Sequence, residues 1–335
     1  MSRDRLRWGI LGTAAISRKA LIPAIRGAGG EVVAVASREG RRAQEFAASC
    51  AVPLWFEGYE GLLAADLDAV YIPLPNSLHR HWTLEALAAA KHVLCEKPLA
   101  LTAAEAEAMR ERASERGLVL AEALMYRYHP RWALVRELIG SGRLGQIRHI
   151  QGVFTFPLAV GENIRWHPSL GGGALYDVGC YLIDACRWLL GEPESVLATA
   201  KVERGVDTEA AMLLRFPSSA GVATAELACG FGSAECQQLL LLGSEGSLLV
   251  PRAFTAWSGE AVPLLLRDRS GSDRETIATP EADPYQEMVR AFSARVGGGA
   301  ALSAEPEQSV VGMGVLDALR RSALSGGWER PHLNP

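Results

Sequence analysis

"LRWGILGTAAIS", residues 6–17, runs as a short apolar stretch, breaks at Gly12 and continues through small residues into an apolar-periodic segment that reaches about Gly27. A strand that turns through glycine into a helix is one half of a β-α unit, and the chain goes on in the same rhythm. "EVVAVAS" (31–37) and "REGRRAQEFAAS" (38–49) read as the next strand and helix. "LDAVYIPL" (67–74), "HVLC" (92–95) and "LVLAEAL" (118–124) read as further strands. Between them lie the helical stretches "SLHRHWTLEALAAA" (77–90) and "TAAEAEAMRERASERG" (102–117). Strands that are apolar on every residue predict a parallel sheet covered on both faces. Ligands of such sheets bind outside the carboxyl ends of the strands.

From about Met125 the rhythm changes. "IRHIQGVFTF", "SVLATAKVE", "AAMLLRF", "GVATAELACGF" and "CQQLLLLGSEGSLLV" are β-type runs in succession, with one helix near 178–190. That pattern predicts an α+β domain built on a sheet. The segment from Arg252 to Pro284 reads as turn-rich, and "YQEMVRAFSARV" and "EQSVVGMGVLDALRRSAL" read as closing helices. The expected fold class is therefore α/β, with a doubly wound parallel sheet over 1–124 and an α+β domain over 125–335.

Bulk composition excludes several classes. At 335 residues the chain is long enough for two domains. A net charge of −4 with 21% charged residues offers no basic patch for nucleic acid. Six scattered cysteines without a Cys-x-x-Cys pair argue against a metal ribbon or a disulfide framework, and point to a reducing cytoplasm. "MSRDRLRWGI" has no apolar segment of the signal-peptide type, and no apolar run approaches the ~18 residues of a membrane span. His79-x-His81 has no carboxylate or cysteine at ligand spacing, so no metal is expected.

The turns carry the chemistry. A dinucleotide fingerprint reads G-x-G-x-x-G/A; here only Gly12 remains, with small residues in the other two slots, so backbone can still approach a pyrophosphate at the helix amino terminus. A merely tight turn would look much the same. At the tip of the second strand, Ser37-Arg38 stand where an NAD enzyme places Asp or Glu, with Arg41 and Arg42 beyond. A hydroxyl and guanidinium groups suit a ribose 2′-phosphate, which favours NADP(H) over NAD(H). A solvated helix start is the plainer alternative. At the end of another strand, "HVLCEKPLA" (92–100) sets a Glu-Lys pair against a proline.

These stretches, together with "PLPNSLH", "EALMYRYHP" and "GGGALYDVGCYLIDACRWLLG", resemble the glucose-fructose oxidoreductase, inositol dehydrogenase and MocA family. The hallmark Glu-Lys-Pro is matched by Glu96-Lys97-Pro98, and the likeness runs to about residue 250. It implies a Rossmann domain followed by a large, open, mostly antiparallel sheet through whose free face two chains associate. It also implies cofactor contacts from Gly12, Thr13, Ala14 and Ile16, from Ser37, Arg38 and Arg42, from Leu74, Asn76 and His79, and from Glu96 and Lys97. Where the inositol dehydrogenase branch has Asp-x-Gly-x-His, this chain has Asp177-Val178-Gly179-Cys180-Tyr181. Tyrosine in the histidine slot is similar to the branch of dimeric dihydrodiol dehydrogenase and NADP-dependent xylose dehydrogenase.

The resemblance implies Lys97 and Tyr181 as catalytic residues. Asp177, one helical turn before Tyr181, is placed to orient the lysine or accept from a substrate hydroxyl. Arg165 and Trp166, just before a Gly-rich loop, are candidates with Asp177 and Tyr181 for lining the substrate site by hydrogen bonding and stacking. An unperturbed phenol, pKa ~10, is a poor base at neutral pH. A cation ~4 Å away at an effective dielectric of ~20 contributes ~4 kcal/mol, enough to shift it by two units or more, so Lys97 would make Tyr181 usable. Each candidate has a structural alternative. Tyr181 could be a core residue, Asp177 a helix cap, Asp184 a partnered charge and Trp166 a buried ring; Arg127 and His129 could face the cleft. The expected activity is NADP-dependent hydride transfer on a sugar, polyol or cyclic trans-diol in a homodimer. A redox-assisted lyase without net turnover and a non-enzymatic NADP-binding sensor are the rivals.

Overall fold

The computed structural model describes residues 5–218, 221–256, 259–272 and 274–332. Met1–Asp4, part of the start read for a leader sequence, lie outside the described residues. Contacts divide the chain into two units, 1–128 with 283–310 and 129–282 with 311–335.

In the first unit the strands are β1 (Arg7–Leu11), β2 (Glu31–Ser37), β3 (Leu54–Glu57), β4 (Ala69–Ile72), β5 (His92–Cys95) and β6 (Leu120–Glu122). The helices are α1 (Ile22–Gly27, entered by a wide turn over Ser17–Leu21), α2 (Gly40–Cys50), α3 (Glu60–Leu63), α4 (His79–Ala88) and α5 (Ala103–Arg116). All six strands pair in parallel in the order β3-β2-β1-β4-β5-β6, so the sheet reverses direction between β1 and β4. This is the expected Rossmann arrangement. Its centre is apolar throughout: every residue of β4 and all but the first residue of β1, β2 and β5 are buried. β3 was not read from the sequence, because as an edge strand it leaves Leu54 and Trp55 exposed and lacks the buried apolar signature.

In the second unit α6 (Arg131–Gly140) precedes β7 (Ile147–Thr155) and α7 (Cys180–Leu190), which a wide helical turn over Leu175–Gly179 introduces. Seven strands follow: β8 (Ser195–Glu203), β9 (Val206–Ser218), β10 (Gly221–Gly230), β11 (Cys236–Gly243), β12 (Gly246–Pro251), β13 (Leu264–Asp268) and β14 (Arg274–Ile277). They form one eight-stranded sheet, β14-β13-β12-β11-β7-β10-β9-β8, antiparallel except for the β7–β10 pair. α7 lies on one face of it: a Cβ added to Gly152 of β7 would meet Leu182 of α7 at 2.9 Å. β13 and β14 correct the turn-rich reading of 252–284; short outer strands with charged ends carry little apolar signal.

The entry to α7 is braced from β9. The Asp207 carboxylate accepts the Leu175 amide at 2.6 Å, and its Oδ1 sits 2.2 Å from where a Cβ on Gly173 would be. With φ at +118°, Gly173 is a position only glycine fills without strain. Burial pushes the Asp207 carboxyl up to about 6, against the amides that hold it down.

Two last helices, α8 (Pro284–Val296) and α9 (Pro306–Ser325), close the chain, and the division between units falls inside α9. α8 belongs to the first unit. Phe292 packs on Trp8 at 5.1 Å between ring centroids, Gln286 donates to the Gly27 carbonyl at 2.7 Å, and buried Arg127 donates to Ser303 O and Gln308 Oε1, both at 2.8 Å. Where the sequence reading divides the chain at 124/125, contacts group residues 283–310 with the first unit as well, through pairs too distant in sequence for local pattern to reveal.

Two outcomes test this account. Arg127→Met removes a buried cation that bonds the returning segment, and a cost of about 3 kcal/mol is expected. A lower Tm and faster proteolysis near 297–304 would report it. At Asp207 the folded carboxyl holds its proton more tightly than the unfolded one, whose pKa is ~3.9. Its stabilisation is therefore fully present below that value and is lost as pH rises through about 6. Asp207→Asn keeps an acceptor but cannot ionise, so its stability relative to wild type should improve by roughly 2 kcal/mol between about pH 4 and about pH 7.5. Melting of both proteins across that range measures it.

Candidate active site

The carboxyl ends of the parallel strands gather the candidates of the first unit. Gly12, at the end of β1, has φ +112° and donates to the Ala36 carbonyl at 2.8 Å. A Cβ there would stand 3.0 Å from Leu74 Cδ2, so the missing side chain is what lets the first turn lie against the turn after β4. Thr13, Ala14 and Ile16 are half-buried, and Ser17 is fully buried with no hydroxyl partner among the described residues. At the tip of β2, Ser37 is buried while Arg38 and Arg42 are exposed. Both cations lie near enough to Tyr59 to oppose the burial that pushes its phenol up. A glycine cradle beside convergent guanidiniums fits a phosphorylated dinucleotide.

At the end of β5, Glu96 uses both carboxylate oxygens locally. Tyr71 Oη donates to one at 2.5 Å and the Lys97 amide to the other at 3.2 Å. Lys97 itself is half-buried, and the Lys97–Pro98 peptide is cis. The Pro98 carbonyl faces His79 Nδ1 at 2.9 Å, and the Leu74 carbonyl faces His79 Nε2 at 2.8 Å. His79 is fully buried, and desolvation first, with the Lys97 charge adding to it, lowers its pKa. With no exposed surface and both nitrogens on backbone carbonyls, the ring ties the turn after β4 to the turn after Lys97. Asn76 is half-buried and opens the turn Asn76–Leu78. Leu99 N donates to buried Glu122 at 2.9 Å, which fixes the chain just past Pro98.

In the second unit, Arg165 and Asp177 are one entity. Arg165 Nε donates to Asp177 Oδ2 at 2.5 Å, and the guanidinium lies 5.7 Å from the Phe156 ring. One oxygen of Asp177 accepts from Arg165, while it is Asp207 that accepts the Leu175 amide at the helix start, a role the sequence did not disclose from more than thirty residues away. Tyr181 is 6% exposed and packs on Phe154 and Phe254 at 5.7 and 5.5 Å between centroids; those two rings stack on each other at 5.4 Å. Trp166 is equally buried, donates its indole N–H to the Ala159 carbonyl at 3.0 Å and meets Phe231 edge-on. Asp184 is buried and pairs with Arg187 at 3.9 Å, which resolves it as a partnered charge.

Arg127 and His129 do not face an open cleft. Both are buried, and Arg131 N donates to His129 Nδ1 at 3.1 Å, while burial lowers that imidazole to about 4. Among the described residues no group of three or more His, Cys, Asp or Glu side chains could hold a metal, and no helix is long and apolar enough to cross a membrane. The sequence reading missed Arg18. It lines an open pocket of about 380 Å³ with Thr13, Arg42, Glu45, Phe46 and Ser49; a helical arginine on an exposed face carries no signal of that kind.

Comparison with known proteins agrees with this geometry. Residues 6–124 match the family model described as "Oxidoreductase family, NAD-binding Rossmann fold", and residues 132–249 match the GFO/IDH/MocA C-terminal domain. The chain is 38% identical to D-xylose 1-dehydrogenase (NADP(+)) 2 of Haloferax volcanii, over 96% of this chain and 98% of that one. It is 39% identical to dTDP-3,4-didehydro-2,6-dideoxy-alpha-D-glucose 3-reductase of Streptomyces violaceoruber, over 87% and 85%. Among solved structures, a 3-ketoreductase from Actinomadura kijaniata in complex with NADP and TDP-benzene superposes with a TM-score of 0.89 at 34% identity, covering 95% of this chain and 98% of that one. With both halves matched and relatives aligned along nearly its whole length, the chain belongs to the glucose-fructose oxidoreductase, inositol dehydrogenase and MocA family of oxidoreductases.

Proposed function

We propose that the chain transfers hydride between NADP(H) and a secondary alcohol or ketone of a sugar, polyol or cyclic diol, with Tyr181 as acid-base and Lys97 as its electrostatic partner. The observation that carries this reading is Lys97: a half-buried lysine at the carboxyl end of a buried parallel strand, its backbone pinned through Glu96 and, by way of the next residue, His79. The names of two relatives support the cofactor, one an NADP(+) dehydrogenase and the other solved with NADP. Structures of the 3-ketoreductase exist with a lysine changed to alanine and with a tyrosine changed to phenylalanine. Those two positions are separated by the same number of residues as Lys97 and Tyr181.

Gly12, Thr13, Ala14 and Ile16 would hold the pyrophosphate side, Ser37, Arg38 and Arg42 the ribose phosphate, and Leu74, Asn76 and Glu96 the turns beside the nicotinamide. Bound NADP(H) supplies the hydride donor or acceptor. In the oxidative direction Tyr181 Oη takes the proton from the reacting hydroxyl, and the Lys97 ammonium stabilises the negative charge that develops on that oxygen. In reduction the same phenol returns the proton. The Arg165–Asp177 pair presents a fixed donor and acceptor to neighbouring hydroxyls, which orients the sugar without joining the chemistry. The second sheet leaves a face with half-buried Leu213, Leu240 and Leu249 among His149, Gln151 and Glu226, and through it two chains would associate.

Purified Tyr181→Phe and Lys97→Met, assayed on a panel of aldoses, inositols, trans-diols and their keto forms, test the assignment. Turnover should fall at least about a hundredfold in each, with NADPH affinity of Tyr181→Phe kept within about threefold. In Lys97→Met the limb of activity that rises with pH should move to higher pH. Undiminished turnover in either variant would end the assignment. Sedimentation at micromolar concentration should give twice the chain mass; a monomer would remove the dimer.

A further inference from the structure

We infer that Arg18 sets cofactor specificity, its guanidinium binding the phosphomonoester on the adenosine ribose from the side opposite Arg42. This rests on the NADP(H) reading and deepens it. Three observations converge. Arg18 lies in the first turn of the helical segment that follows Gly12, second in the wide turn Ser17–Leu21, and it shares a pocket with Thr13 of the phosphate turn and Arg42 of the first turn of α2. Its guanidinium sits 5.0 Å from the centre of the Phe46 ring, and among the described residues it has neither a carboxylate nor a carbonyl partner. Stacking therefore holds the plane still while leaving its N–H donors unspent, which is the preorganised state of an anion-binding arginine.

The third observation is the charge balance of the pocket. Its one carboxylate, Glu45, accepts from Arg41 at 2.8 Å, and Arg42 has only a long contact with Glu39 at 3.7 Å. Two cations thus line the space against one carboxylate that already has a cation of its own, and Thr13 and Ser49 add hydroxyls to the wall. The volume of about 380 Å³ accommodates a phosphorylated ribose. A 2′-hydroxyl gives such a site nothing to neutralise. A dianionic phosphate can take a forked pair of hydrogen bonds from each guanidinium.

The test is a binding titration, separate from turnover. Wild type, Arg18→Gln and Arg18→Lys are titrated with NADPH, NADH and adenosine 2′,5′-bisphosphate, followed by ligand fluorescence or by calorimetry. Arg18→Gln should bind NADPH and the bisphosphate about tenfold or more weakly, while NADH affinity stays within twofold. Arg18→Lys should recover part of the loss, since it keeps the charge but not the fork. NADPH affinity unchanged in Arg18→Gln, or NADPH and NADH weakened equally, overturns the role of Arg18 while the cofactor reading stands. A wild type that binds NADH as tightly as NADPH overturns the cofactor reading itself, and this inference with it. Arg18 is exposed, so all three proteins should melt alike, and a changed Tm in Arg18→Gln would assign the residue to structure instead.

Discussion

An imidazole wedged between two backbone carbonyls holds the first unit's functional turns in register. His79 spans from Leu74, just past β4, to Pro98, just past Lys97, with no surface exposed to solvent. Both carbonyls invite a donor, yet a second proton would bury a charge close to the Lys97 ammonium. Desolvation, the largest influence, lowers the pKa of the ring, with the Lys97 charge adding to it, against the backbone carbonyls that favour a proton. What the ring contributes is spacing. Leu74 in turn meets the face of Gly12 where a Cβ is missing, so the first turn, the turn after β4 and the lysine turn form one mechanical unit.

The same economy runs through the second unit with different groups. There a carboxylate from β9 does for the entry to α7 what His79 does for the strand ends: Asp207 holds Leu175, and the helix so placed carries Asp177 and Tyr181 one turn apart. Its elevated carboxyl shows that the brace works against desolvation, which is tolerable because several amides answer it. Tyr181 packs against the stacked rings of Phe154 and Phe254, which restricts the rotamers open to its phenol.

How much of this a sequence discloses follows from where each signal lives. The parallel sheet was legible because buried central strands must be apolar at every position, and the same pattern placed Lys97 directly after the end of one of them. β3 was not, since an exposed edge strand obeys no such rule, nor were β13 and β14. The return of 283–310 to the first unit rests on Arg127 and Phe292 meeting residues far away in the chain, which no local periodicity encodes. The partners of Trp166 and His129 were hidden from the sequence in the same way. An aromatic or imidazole near a glycine-rich or proline-bounded loop suggests a ligand, but only coordinates reveal that the polar atom is already spent or buried.

A physical criterion separates the two groups of polar residues in this chain. Arg127, Arg131 and Arg187 are buried and give their donors to carbonyls or carboxylates, so the fold itself consumes them. Arg18, Arg38 and Arg42 keep exposed heads beside the first two strand ends, where the sheet's architecture delivers anionic ligands. A guanidinium is costly to desolvate, so leaving three of them in water near one turn is neutral for stability and favourable only for something that brings negative charge. The distribution of spent and unspent arginines therefore points to the carboxyl ends of β1 and β2 as a place suited to anionic ligands. The second unit offers a different surface, an aromatic cluster beside the paired Arg165 and Asp177.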